Sequence, residues 1–126
     1  MTVARMGSIT LDCDEPSSLA AFWCGMLGGG IAHSSDKYVT VKFPHGLLTA
    51  IRVADYRAPS WPDSAVPKQI HLDLVVDDLD SASAEAVRLG ARVASVQHAP
   101  ALCRVLLDPA GHPFCLCLPR GVLGDA

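Results

Sequence analysis

The sequence predicts an α+β fold built from two copies of one module, each strand–helix–strand–strand–strand (βαβββ). Three observations carry this. A strand, turn and amphipathic helix at residues 8–27 recur at 70–90. A Pro-x-Gly turn at Pro44-His45-Gly46 recurs at Pro109-Ala110-Gly111, and each leads into a short strand pattern. A stretch with three prolines separates the copies. Internal repetition takes precedence over local signals, because missing it misassigns the whole fold.

The elements follow in order. Ser8, Thr10 and Asp12 alternate with Ile9, Leu11 and Cys13, a period of two that specifies a strand over 8–13. Pro16 suits a first helical turn, where its missing N–H is not needed. Leu19, Phe22, Trp23, Met26 and Leu27 share one helical stripe, which predicts a helix over 16–27 stopped by Gly28-Gly29-Gly30. That glycine run follows a helix rather than opening one, so it is not a phosphate loop. Strand patterns follow at 31–34, 38–43 and 48–53. Residues 55–68 carry Pro59, Pro62 and Pro67 and cannot lie in a central strand or helix; they form the crossing between copies.

In the second copy, Ile70, Leu72, Leu74 and Val76 alternate with His71, Asp73 and Val75, giving a strand with a polar face. Asp78 is the expected N-cap, Asp80 sits in the first turn, and Leu79, Ala82, Ala86 and Leu89 form the apolar stripe of a helix that ends at Gly90. Strands are expected at 92–96, 102–107 and 113–118, and a loose tail over 119–126.

A chain of 126 residues that is 50% apolar can fold without staples. The net charge of −3 and the lack of a basic cluster exclude a nucleic-acid surface, which needs concentrated Lys and Arg. No apolar run reaches the roughly 18 residues of a membrane span. The start, MTVARMGSIT, has no signal-peptide core, and five cysteines is an odd number. The expectation is a cytoplasmic protein with free thiols.

The helix start DEPSSLAAFWCGMLG, the crossing with Ser60-Trp61-Pro62, the strand IHLDLVVDDLD, Leu89-Gly90-Ala91 and the turn DPAGHPFCL occur in an order that resembles glyoxalase-like domains of the vicinal-oxygen-chelate superfamily. This group includes bleomycin-resistance proteins and extradiol dioxygenases. The resemblance implies a single domain, with modules at 7–54 and 69–118 joined by the crossing at 55–68. It also implies a curved mixed sheet around a cleft, often completed in a homodimer.

The same resemblance implies a divalent-metal site. Matching the repeats places its ligand positions at Ser8, Ala50, His71 and Cys115. Only His71 is a usual ligand there. A catalytic ion normally takes about three protein ligands, so no metal or other cofactor is expected. Asp12, Asp73 or Cys117 are the available substitutes.

The candidate cleft residues are Ser8, Thr10, Asp12, Arg52, Trp61, His71, Asp73, Cys115 and Cys117. His71 is either a polar contact or general base oriented by Asp73, or a structural histidine. Asp12 and Asp73 either bind a ligand's polar group or line a wet cleft mouth. Arg52 pairs with Asp73 or an anionic ligand, or makes a surface salt bridge. Cys115 and Cys117 are nucleophiles, thiolate ligands or small apolar lining. Trp61 walls the cleft or pins its loop. Cys13, Cys24, Phe22 and Trp23 read as core. His33, His45, His98 and His112 read as exposed.

The function expected is binding of a small, partly apolar molecule. The alternatives are a metal-dependent lyase or isomerase of glyoxalase type, a metal-free acid–base enzyme using His71 and Asp73, and a purely structural role.

Overall fold

In the computed structural model, which describes residues 2–122, the chain divides into two units, Met1–Arg57 and Ala58–Ala126. The first contains β1 (Ser8–Cys13), α1 (Pro16–Leu27), β2 (Gly30–Ser34), β3 (Tyr38–Phe43) and β4 (Gly46–Arg52). Its sheet has the order β1-β4-β3-β2, with β1 parallel to β4 and the other pairs antiparallel. Leu11, Cys13, Val39, Val41, Leu48 and Ala50 are buried on the sheet, as are Leu19, Ala20, Phe22 and Trp23 on α1. Phe22 and Trp23 meet edge to face with centroids 5.1 Å apart. Gly28 ends α1 in the left-handed region at φ 69°, a conformation that glycine adopts without strain.

The next glycine is fixed by space rather than by dihedral. A Cβ on Gly29 would lie 2.5 Å from the Lys42 carbonyl oxygen and 2.9 Å from a Val41 methyl. Gly29→Ala is expected to lower stability by about 1–3 kcal/mol, the usual penalty for overpacking. Urea titration checks this, and an unchanged midpoint would refute the close fit.

The second unit repeats the plan with β5 (Leu72–Val75), α2 (Leu79–Leu89), β6 (Arg92–Val93), β7 (Cys103–Leu107) and β8 (Pro113–Cys117), in the order β5-β8-β7-β6. Asp78 caps α2 by accepting from the Ser81 N–H at 2.9 Å; this bond holds its carboxyl below the usual carboxylate range. Arg104 Nη1 on β7 reaches Asp80 Oδ1 on α2 at 2.6 Å. Leu106, Phe114 and Leu116 are buried on the sheet, and Leu79 and Ala86 on the helix.

Four expectations require correction. The strand expected at 92–96 stops at Val93, because a side chain replaces it. Gln97 Nε2 donates to the carbonyls of Ala94 and Val105, and its Oε1 accepts from the Val105 N–H at 2.9 Å. The strand at the head of the second module is shorter than its alternation suggested and begins at Leu72. Instead of a loose tail from 119, a short helix α3 (Pro119–Val122) follows β8; residues 123–126 lie outside the described residues. Finally, the cysteines are not all free thiols. Cys103 and Cys117 are joined by a disulfide, because β7 and β8 place them directly opposite each other, with Cα atoms 4.1 Å apart.

The turn between β7 and β8 is built on Asp108, which is 1% exposed. Its Oδ1 accepts from the backbone N–H groups of Ala110 and His112, both at 2.9 Å. Gly111 follows at φ 87°.

Candidate functional site

Alternation along the second sheet separates two faces. Phe114, Leu116 and Leu106 take the face that packs with α2. Asp73, Cys115, Cys117, Val105 and Cys103 take the other. On this second face Asp73 and Cys115 are register partners on β5 and β8. His71, just before β5, places Nε2 3.0 Å from Asp73 Oδ1. Donor atoms of His71, Asp73 and Cys115 all lie within 4.8 Å of one another.

The three side chains differ in exposure. The Cys115 residue is 7% exposed, while the His71 and Asp73 side chains keep 25% and 48%. Burial is the first cause that pushes the Cys115 thiol up, to about 11; the Asp73 charge and a hydrogen bond to Asp73 add to it. At neutral pH the cluster therefore holds a protonated thiol, and Asp73 accepts from it.

Trp61 closes over part of this face. The loop that carries it is tied by Ser60, whose N–H donates to the Val66 carbonyl and whose Oγ accepts from the Val66 N–H at 2.9 Å. The Trp61–Pro62 peptide is cis. Trp61 packs with Cys103 against a cluster formed by Ala94, Val105, Cys115 and Cys117, and meets the His98 ring edge to face at 5.7 Å. Trp61 and the cysteine face thus form one surface.

In the first unit, Ser8, Thr10 and Asp12 lie on the sheet face opposite the buried Leu11 and Cys13. Two assignments need correction there. Ala50 is register partner of Leu11 and is fully buried on the core face, so it is no ligand position. Arg52 shares that phase, pairs with Cys13, and sends its Nε to the Asp14 carbonyl at 3.2 Å; it does not line the open face with Thr10. The residue that pairs with Thr10, as Cys115 pairs with Asp73, is Thr49. Thr49 Oγ1 lies 2.9 Å from Thr40 Oγ1. Cys117 is corrected as well: bound to Cys103, it offers neither a thiolate ligand nor a nucleophile.

Sequence reasoning missed Thr49, and it missed Cys103 as the partner of Cys117. Among the described residues, the first unit also holds surface cavities. One of about 310 Å³ is lined by Ser17, Ala21, Cys24, Ile31, Ser34 and Val39. Another, of about 350 Å³, is lined by Asp36, Lys37, Arg52, Val53 and Ala54.

The family model described as "Glyoxalase-like domain" matches residues 8–117, which include both sheets. The chain belongs to the glyoxalase-like domain family. A search of curated proteins returned no match. Solved structures show the same fold. The fosfomycin resistance protein FosX from Mesorhizobium loti is similar with a TM-score of 0.69 and 13% identity, over 92% of each chain. A lactoylglutathione lyase from Agrobacterium tumefaciens is similar with a TM-score of 0.63 and 19% identity, over 97% of this chain and 98% of that one. A glyoxalase-related enzyme from Fulvimarina pelagi gives 0.67 and 16%, over 92% and 88%. At these identities the likeness is one of fold. Among the described residues of this glyoxalase-like chain, no helix is long and apolar enough to cross a membrane.

Fitting a metal to the glyoxalase-like chain gives a mixed result. His71 and Cys115 are positions the family resemblance singles out, and Asp73 adds a third donor within reach. The counterpart positions in the first unit offer hydroxyls at Ser8 and Thr49 and no donor at Ala50. The chain therefore fits a three-donor ion that accepts sulfur, and does not fit the four-ligand set implied by the repeats.

Proposed function

We propose that this protein binds a small, partly apolar molecule on the open face of its second sheet, without the metal site usual in its family. The observation that carries the reading is the hydrogen-bonded His71–Asp73–Cys115 group set beside Trp61 on an otherwise apolar face. Such a surface gives a ligand hydrophobic contact and a few fixed polar groups for orientation. The protein acts in the cytoplasm as a homodimer, and nucleic acid and membranes are not its partners.

The cluster also favours a second reading, in which His71, Asp73 and Cys115 hold a divalent ion after Cys115 loses its proton. Such an ion would polarise a ligand carbonyl, the chemistry of a lyase or isomerase. A metal-free variant would use His71 and Asp73 for proton transfer.

Elemental analysis of protein purified without chelator, followed by thermal unfolding with Zn²⁺, Ni²⁺, Mn²⁺ and Fe²⁺, decides between these. No stoichiometric metal and no midpoint shift are expected. A stoichiometric ion that shifts the midpoint, with loss of the shift in His71→Ala, would overturn the binding-only reading. A screen of aromatic ligands by the same midpoint shift then tests binding itself. Loss of the shift in folded His71→Ala is expected, and equal shifts in both proteins would remove His71 from the site.

A further inference from the structure

The Cys103–Cys117 bond joins strands that are already paired. Arg104 pairs with Leu116 and Val105 with Cys115 on the same ladder, so the hairpin is closed without it. Its position is more informative than its topology. Cys117 lies on β8 two residues from Cys115, on the same face, and is register partner of Val75 on β5. Trp61 packs, as Cys103 does, against the cluster that contains Cys117 and Cys115.

On the side of α3 the bond leaves room for glycine alone at position 121. A Cβ on Gly121 would lie 2.8 Å from Cys103 Sγ and 3.4 Å from Cys117 Cβ. Cys117 is 1% exposed, whereas Cys103 is only partly buried, so a reductant has one sulfur to approach.

We propose that Cys103 and Cys117 form a thiol–disulfide switch on the ligand site that His71, Asp73 and Cys115 form beside Trp61; this rests on the binding reading above. Reduction by a cellular dithiol breaks the S–S bond and delivers two electrons and two protons, leaving thiols at Cys103 and Cys117. The dithiol becomes a cyclic disulfide. The two sulfurs then separate from a bond of about 2 Å to non-bonded contact at roughly 3.5–4 Å. Trp61 packs against the cluster that holds Cys117 and Cys115, so movement of the sulfurs shifts the wall beside Cys115. The disulfide form holds Trp61 in place before a ligand arrives and binds more tightly, because an ordered wall need not be ordered at binding.

The test uses the whole chain and the dye 8-anilinonaphthalene-1-sulfonate as probe, with and without excess dithiothreitol. Alkylation followed by intact mass confirms that the bond has formed or been reduced. Reduction is expected to weaken probe binding about tenfold. Cys103→Ser should bind like the reduced protein and ignore dithiothreitol. Tryptophan emission should change on reduction in the wild type and not in Trp61→Phe.

Outcomes separate the two claims. If neither form binds the probe in a His71-dependent manner, the binding reading falls. If both forms bind equally through His71, or if no disulfide forms under air oxidation, the switch is overturned and the binding reading stands. If the bond is reduced and Trp61 emission does not respond, the switch is likewise overturned, whatever happens to Cys103→Ser.

Discussion

Asp108→Ala is expected to lower the unfolding free energy by about 2–5 kcal/mol, the scale of two lost hydrogen bonds and the amides left without an acceptor. Both bonds, from Ala110 N–H and His112 N–H, converge on one buried oxygen. The truncation leaves those amides without an acceptor in a turn where Ala110 and Gly111 are buried. The turn in addition sets the register of β8, and therefore the position of Cys115 opposite Asp73. Asp108→Asn keeps an acceptor oxygen and should lose much less. Urea unfolding of the three proteins checks the ordering; a loss below about 1 kcal/mol in Asp108→Ala would show that the buried carboxylate does not hold the turn.

Asp73→Asn is expected to make Cys115 more reactive. With its thiol at about 11, Cys115 presents a thiolate fraction at neutral pH about a hundredfold below that of an unperturbed cysteine. Part of that suppression is the Asp73 charge and hydrogen bond, which the asparagine lacks or weakens. Alkylation of Cys115 by iodoacetamide, followed by peptide mass against pH, should titrate near 11 in the wild type and lower in the variant.

The sign carries over to stability. The folded state holds this proton more tightly than the unfolded chain. Its contribution is therefore fully present below the ordinary thiol range near 9 and is lost as pH rises towards 11. A wild-type alkylation profile centred near 9, matched by the variant, would remove Asp73 from contact with the thiol.

Much of the fold was legible because it is written twice. β1 and α1 fall where alternation and the Leu19–Phe22–Trp23 stripe place them, and the second helix falls where Asp78 and Gly90 bound it. The site was harder. Gly46 and Gly111 look equivalent in the two turns, yet Gly46 is a strand residue paired with Phe43, while Gly111 lies in a longer loop between Leu107 and Pro113. Aligning the glycines therefore slips β4 by one residue. It selects Ala50 and Arg52 instead of Thr49, and a slip of one moves every side chain to the opposite face. The run Leu47-Leu48 offers no polar residue to correct it.

The disulfide was illegible for a related reason. Five cysteines allow many pairings, and only the β7–β8 register sets Cys103 opposite Cys117. The early end of β6 depends on a side chain acting as backbone, which periodicity cannot express.

That last feature bears on how the protein survives in a crowded solution. β6 is the outer strand of its sheet, and where it stops, the Val105 C=O still accepts from the Ala94 N–H but the Val105 N–H would be open to a strand from another molecule. The Gln97 side chain accepts from that N–H and adds a second donor to the carbonyl. It offers an incoming chain a side chain where the ladder would have to grow, and so blunts the edge against amyloid-like stacking without lengthening the sheet.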